Sequence, residues 1–307
     1  MSASDALAHI RALAGEKGGA RVDLEEVCDR ALLTVTFHPD RPDTRGRTAA
    51  AGLAADGGYR TQFETGSSAG GLDSALGGAR TGWEHEMFGG VYDGAAPAVR
   101  PRYGVLDLLP YPDGGAPRFG STHLRLRRDV LARCTFSWGD SVTRPTAVGT
   151  WARLGPVLEA ASDADAPELA GRPRTGAARL DGYVEAQIHG GLRMSDVEAV
   201  VTDPCYRGTP VGGALARACE RFGAELAWHA GYMLDPDVVD PEFRGPAAAQ
   251  LAREVAAGAP LDPAMLGRAA VAITTEPAAW ARYGDPTDAL QQLKYVWHHL
   301  AAFGYRG

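Results

Sequence analysis

The stretch Leu180-Asp181-Gly182-Tyr183-Val184-Glu185-Ala186-Gln187-Ile188-His189-Gly190-Gly191-Leu192-Arg193-Met194-Ser195-Asp196-Val197-Glu198-Ala199-Val200-Val201-Thr202-Asp203 decides how this chain is read. It alternates with the period of an extended strand: Val184, Ala186 and Ile188 point one way, Glu185, Gln187 and His189 the other. One face therefore carries a carboxylate, an amide and an imidazole in a row. Gly190-Gly191 supplies a turn, and residues 197–201 restart as an apolar strand. The polar row is read as either a solvated strand face or the wall of a cleft.

Working outward toward the N-terminus, residues 101–109 and 118–126 read as strands. The turn-rich residues 111–117 between them read as a hairpin connection. Residues 130–137 form a further short strand. Leu32-Leu33-Thr34-Val35-Thr36-Phe37 is β-branched and apolar, hence a strand. It ends in His38-Pro39-Asp40-Arg41, which presents His38 and Arg41 into a loop. Residues 46–55 are Ala-rich and read as a short helix. Tyr59-Arg60-Thr61-Gln62-Phe63 alternates like a strand. Glu64-Thr65-Gly66-Ser67-Ser68-Ala69-Gly70-Gly71 is small and hydroxyl-rich, so a ligand can approach its backbone and its N–H groups can cradle an anion. Residues 5–13 and 22–31 are helix candidates, and 83–88 one or two helical turns.

Toward the C-terminus, Thr209-Pro210 opens a helix with a capping hydroxyl and a proline at its first position. Leu215, Ala218, Cys219 and Phe222 form its apolar stripe, and Gly223 ends it. Residues 226–229 read as a last strand. Beyond residue 235 the pattern is helical, with Trp297, Leu300 and Phe303 as a buried stripe and His298-His299 on the helix surface. Residues 160–179 are rich in Ala, Asp, Gly and Pro and read as an exposed insertion. The expected fold is α+β: a mixed or antiparallel sheet core, with residues 1–31 as a helical cap, 32–235 as the main domain and 236–307 as a packed helical layer.

Composition narrows the function. The 307 residues are 45% hydrophobic and 22% charged, with a net charge of -7, which disfavours nucleic acid as the main partner. Cys28, Cys134, Cys205 and Cys219 lack C-x-x-C spacing and read as reduced thiols. No apolar run of about 18 residues is present, nor an apolar leader, so the expectation is a cytoplasmic protein, or one exported without a signal peptide. Position 89, where a zinc protease built on His85-Glu86 needs a second histidine, is Gly89; no metal is expected.

Seven segments carry a family resemblance. They are Phe37-His38-Pro39-Asp40-Arg41, Arg102-Tyr103-Gly104-Val105-Leu106 and residues 59–71, 83–93, 117–126, 135–141 and 183–190. Over roughly residues 28–235 the chain resembles the bacterial domain-of-unknown-function family 3626. That resemblance implies no activity, and the C-terminal helices lie outside its motifs. Tyr183-Val184-Glu185, followed by Gly190 and a returning strand, is also similar to the catalytic strand of ADP-ribosyltransferases. Here Tyr183 stands where those enzymes usually have Gln or Glu. Those folds place an Arg or His at the end of an early strand and a Ser/Thr-rich strand next, roles that residues 32–38 and 59–68 fill in order. Arg102 with Ser121 or Ser141 is the alternative. The resemblance implies NAD as substrate, an unknown acceptor, and Glu185, Ser67, Arg60 and His38 as catalytic residues. Arg41, Thr65, Gly66, Tyr92, Arg102, Tyr103, Ser121 and Gln187 would bind NAD. Two other readings stand beside it: a hydrolase using Glu185, His189 and Arg60, and a non-catalytic binding module.

Overall fold

A computed structural model describes residues 3–15, 24–43, 45–66 and 75–307. One sheet holds eight strands: β1 (Leu32–Phe37), β2 (Arg102–Asp107), β3 (Thr122–Leu126), β4 (Cys134–Trp138), β5 (Val148–Thr150), β6 (Val184–Ile188), β7 (Val197–Thr202) and β8 (Glu225–Trp228). Their order is β5-β4-β6-β2-β1-β3-β7-β8. Every pairing is antiparallel except β7 with β8. That parallel pair needs a crossover, and helix Pro210–Phe222 supplies it. The fold is α+β with a mixed sheet.

The helices are α1 (Ala3–Leu13), α2 (Leu24–Arg30), α3 (Ala49–Asp56), α4 (Gln62–Thr65), α5 (Ala79–Phe88), α6 (Gly155–Asp163), α7 (Pro210–Phe222), α8 (Pro241–Arg244), α9 (Pro246–Ala256), α10 (Pro263–Thr275) and α11 (Pro286–Phe303). The period-two reading of β6 holds. Val184, Ala186 and Ile188 enter the main apolar core with Leu33, Val35, Leu124, Phe136 and Val200, under side chains of α2, α3, α6 and α7. Each fully buried aliphatic side chain there contributes about 1.5–3 kcal/mol. In α7, Thr209 caps the start by accepting from the Gly212 N–H, and Gly223 ends it in the left-handed conformation, φ 73°.

The other sheet face is covered as well. Ala6, Ile10, Trp83, Met87, Phe88 and Tyr92 pack into a second apolar cluster there. The polar row of β6 is therefore buried rather than solvated: Glu185 is 5% exposed, Gln187 and His189 0%. A third cluster joins α9, α10 and α11 to Leu180 and Tyr232. The indole of Trp297 in α11 donates to the carbonyls of Pro117 and Arg118, both at 3.0 Å, and lies edge-on to the His38 ring at 4.8 Å.

Several expectations are corrected. β6 and β7 are not neighbours, because β2, β1 and β3 lie between them. Their connection instead bonds to residues 57–59, through Tyr59 N–H to Leu192 and Met194 N–H to Gly57. Likewise β2 and β3 are no hairpin: each pairs with β1. Residues 59–63 are not a strand. Thr61 and Glu64 form a reciprocal capping box that starts α4, and this local bonding outweighs the alternation. The strand expected at 130–137 begins only at Cys134. Residues 160–179 are no exposed insertion, since Ala161 is buried and Glu168 and Arg174 form a buried ion pair. In α1 the expected apolar face of Leu7, Ile10 and Leu13 is instead Ala6 and Ile10, with Leu13 58% exposed. In α11 Phe303 is half exposed, whereas His298 and His299 are buried.

Candidate active site

The end of β1, the start of β2 and the buried face of β6 meet at a cavity of about 170 Å³. Register explains why Glu185 reaches it. Glu185 pairs with Val105 on β2 and with Ser137 on β4, so its carboxylate rises from the middle of the sheet. Tyr103 lies two pairs along β2, opposite Gln187 and so on the same face. His38, in the loop leaving β1, faces the same cavity, as do Arg41, Arg60, Arg80 and Asp140.

A directional hydrogen-bond chain supports the carboxylate. The Thr135 hydroxyl donates its one proton to Gln187 Oε1 at 2.9 Å. It must therefore accept at 3.0 Å from His189 Nε2, which fixes the tautomer, and His189 Nδ1 accepts from the Tyr92 hydroxyl at 2.6 Å. Gln187 Nε2 then donates to Glu185 Oε1 at 3.1 Å and to Ser137 at 3.2 Å. The other carboxylate oxygen accepts from the Ser141 backbone N–H at 3.3 Å. Each donor along the row points toward Glu185, and such chains reinforce one another in a dry interior.

Electrostatics make Glu185 an unusual acid. Burial first, then the neighbouring Asp140, pushes its pKa up to about 7, while Arg80, Gln187 and Ser141 pull it back. Burial holds His189 down to about 3, so it is neutral, as the tautomer above requires. His38 is likewise held well below the ordinary histidine value by burial, helped by Arg41 and His298. The Tyr103 hydroxyl donates to Glu84 at 2.9 Å, and the Arg80 guanidinium lies 4.2 Å over the Tyr103 ring.

The cavity wall carries five guanidinium groups (Arg41, Arg47, Arg60, Arg80, Arg102) against three carboxylates (Asp43, Asp140, Glu185). Arg47 and Arg60 are paired with Asp43 and Asp56. Arg41 makes no ion pair within 4 Å among the described residues, although the charge of the adjacent Asp40 acts on it. Among the described residues no three His, Cys, Asp or Glu side chains are grouped to hold a metal ion, and no helix is long and apolar enough to cross a membrane.

Comparison with known proteins adds the family. The model for "Protein of unknown function (DUF3626)" matches residues 32–168 and 161–303. The chain belongs to that family. The match runs through the C-terminal helices, which the sequence motifs had left outside. The chain is also similar to the "Gene 2 protein" of Mycobacterium phage L5, at 30% identity over 162 residues, 48% of this chain and 59% of the phage protein. It thus spans less than two thirds of that relative.

Within this DUF3626 fold, the residues expected at the site divide. Glu185, His38, Arg60, Arg41, Thr65, Arg102 and Tyr103 line the one cavity. Arg102 is mostly spent on the chain itself, donating to the carbonyls of Tyr59, Ala98 and Arg100 at 3.1, 2.8 and 2.9 Å. Gly66 is not on the cavity wall; it ends α4 with φ 67°. Gln187 on β6 and Tyr92 in the turn after α5 lie behind Glu185 rather than on the wall, in a layer sealed by α5 and its neighbours. Ser121 is turned away, 3.3 Å from the Tyr206 hydroxyl. Ser67 lies outside the described residues. His189 is sealed off too, so a cleft of Glu185, His189 and Arg60 does not exist. Sequence reasoning missed Arg80 and Asp140, and named Ser141 only as an alternative to Ser121. Their signal was faint: Arg80 sits in a Gly-rich segment, and Asp140-Ser141 reads as an ordinary turn.

Proposed function

We propose that this protein is an NAD-consuming ADP-ribosyltransferase that passes ADP-ribose to an acceptor and releases nicotinamide. The observation that carries the reading is Glu185 on a central strand, facing a cavity that His38 at the end of β1 and Tyr103 on the intervening β2 also line. The strand between β1 and β6 is β2, which holds no Ser or Thr, so the Ser/Thr-rich strand expected at residues 59–68 has no counterpart beside Glu185 on β2. In the reaction the glycosidic C–N bond breaks, and its electron pair neutralises the pyridinium ring, which leaves as nicotinamide. The ribose carbon becomes cationic. The Glu185 carboxylate stabilises that charge, and the acceptor attacks with loss of a proton. Tyr103 offers a ring face beside the leaving group, and Arg41 a cation for the pyrophosphate.

The test is incubation of the protein with NAD and measurement of free nicotinamide, in water and with candidate acceptors. Turnover is expected, with an acid limb near pH 7, where Glu185 ionises. Glu185→Gln should lower the rate by at least about two orders of magnitude, the scale of a lost electrostatic group. Nicotinamide release at equal rates from both proteins, or from neither, would end the reading; saturable NAD binding without turnover would favour a binding module.

A further inference from the structure

Arg80 reaches the cavity from α5 and is 3% exposed. Burying a guanidinium is costly unless it is paired or bonded. Its side chain finds two partners, one of them held in turn by Glu84. Nη1 donates to the Ser141 hydroxyl at 2.8 Å, the plane stacks 4.2 Å over Tyr103, and Glu84, one turn along α5, holds the Tyr103 hydroxyl at 2.9 Å. No Arg80 nitrogen makes an ion pair with the Glu185 carboxylate among the described residues. The connection runs through Ser141, whose own backbone N–H donates to Glu185 Oε2 at 3.3 Å. Arg80 Nε is buried and without a hydrogen-bond partner among the described residues. Two buried carboxylates, Glu84 and Glu185, give a reason for a cation here, and only Glu185 faces the cavity.

We infer that Arg80 is a positioning residue for Glu185: its contact with Ser141 fixes the loop that holds the carboxylate, and its charge favours the ionised form. The inference rests on Glu185 being the reactive group, as proposed above. The charged and titratable groups facing Glu185 are Arg80 from α5, Asp140 from the loop after β4, Tyr103 from β2 and Tyr183 just before β6. Asp140 opposes ionisation and is itself paired with Arg118 at 3.7 Å, and the tyrosines stay neutral, so among the described residues Arg80 is the cation acting directly in its favour.

The experiment is a pH titration of the Glu185 carboxyl by carbon-13 NMR in the full chain, with the resonance identified by its loss in Glu185→Gln. Arg80→Gln is expected to raise the midpoint by about one unit or more, as for removal of an adjacent opposite charge. Arg80→Lys should restore most of the difference. The acid limb of nicotinamide release should move by the same amount. Should Arg80→Gln fail to fold, Ser141→Ala takes its place; it removes the hydroxyl that anchors Arg80 and should shift the midpoint in the same direction. An unchanged midpoint in Arg80→Gln, or in Ser141→Ala when that variant decides, would overturn the inference. The titration needs no NAD. Absence of nicotinamide release therefore defeats the proposed activity, while a static midpoint defeats the role of Arg80.

Discussion

Glu185 is a carboxylic acid that folding moves to the edge of neutrality. In the unfolded chain it ionises near 4.5, and in the fold near 7, chiefly because burial penalises its charge. Between these values the native state binds one more proton than the unfolded state, so stability falls as pH rises through the window. At 1.36 kcal/mol per unit the cost is about 3 kcal/mol, complete above pH 7. Glu185→Gln has no such cost. Denaturant melts of both proteins at pH 4.5, 6 and 8 should show the glutamine variant gaining on the wild type by about that amount. A difference that stays constant across the three pH values would mean that Glu185 ionises normally. The same substitution is expected to abolish turnover, so stability and activity should move in opposite directions, as at a site where burial of charge serves chemistry. At this scale the sequence was partly legible. Glu185 and His38 stood out because strand ends and a polar row are local patterns. Arg80 did not, because its importance lies in reaching Tyr103 and Ser141, which are distant in the chain.

At the scale of elements, local chemistry and long-range pairing competed. β6 and α7 were readable because period-two alternation and a Thr-Pro start are short-range signals that packing then obeyed. The polar face of β6 misleads in one respect: Gln187 and His189 look like cleft residues, yet the hydrogen-bond chain consumes them. Strand neighbours were not readable, since β1 inserts between β2 and β3 and no local signal announces that. The wall of the cavity at residues 59–65 shows the opposite case, in which alternation points to a strand and four residues decide otherwise. Thr61 accepts from the Glu64 N–H at 3.2 Å, and the Glu64 carboxylate accepts from the Thr61 N–H at 2.8 Å. The Thr61 hydroxyl also lies 3.1 Å from the Pro97 carbonyl. Thr61→Ala removes one half of the box and should cost about 1 kcal/mol. Thr61→Ser keeps the hydroxyl and should recover most of it. The same ordering should appear in the KM for NAD, since Arg60, Thr61, Gln62 and Thr65 line the cavity. Equal melting of the alanine and serine variants would show that the box does not hold this wall.

For the whole molecule, the question is whether the helices beyond residue 235 are an appendage or part of the site. Composition alone reads them as a layer with its own helical punctuation, and their core of α9, α10 and α11 is indeed separate from the main one. The contacts tie the two together. Trp297 is 2% exposed and its ring meets His38 and Tyr232, at 4.8 and 5.1 Å. Arg179 donates to the Ala301 carbonyl at 3.0 Å, and the Met233 N–H donates to Gly304 at 2.8 Å. His38 thus stands between the cavity and α11, so the layer sets how that imidazole presents itself. Trp297→Ala leaves a large cavity and two carbonyls without their indole donor. The expected cost is about 3–5 kcal/mol. Trp297→Phe fills most of the space and loses mainly the N–H, for about 1 kcal/mol. Calorimetry should show one transition that moves down in the order wild type, phenylalanine, alanine, because unfolding of the layer removes support from the sheet. Under the proposed activity, affinity for NAD should fall in the same order through the freed His38 ring. Two resolved transitions, with the sheet melting at its wild-type temperature in Trp297→Ala, would show instead that the layer folds and fails by itself. The cavity would then owe its shape to the sheet alone.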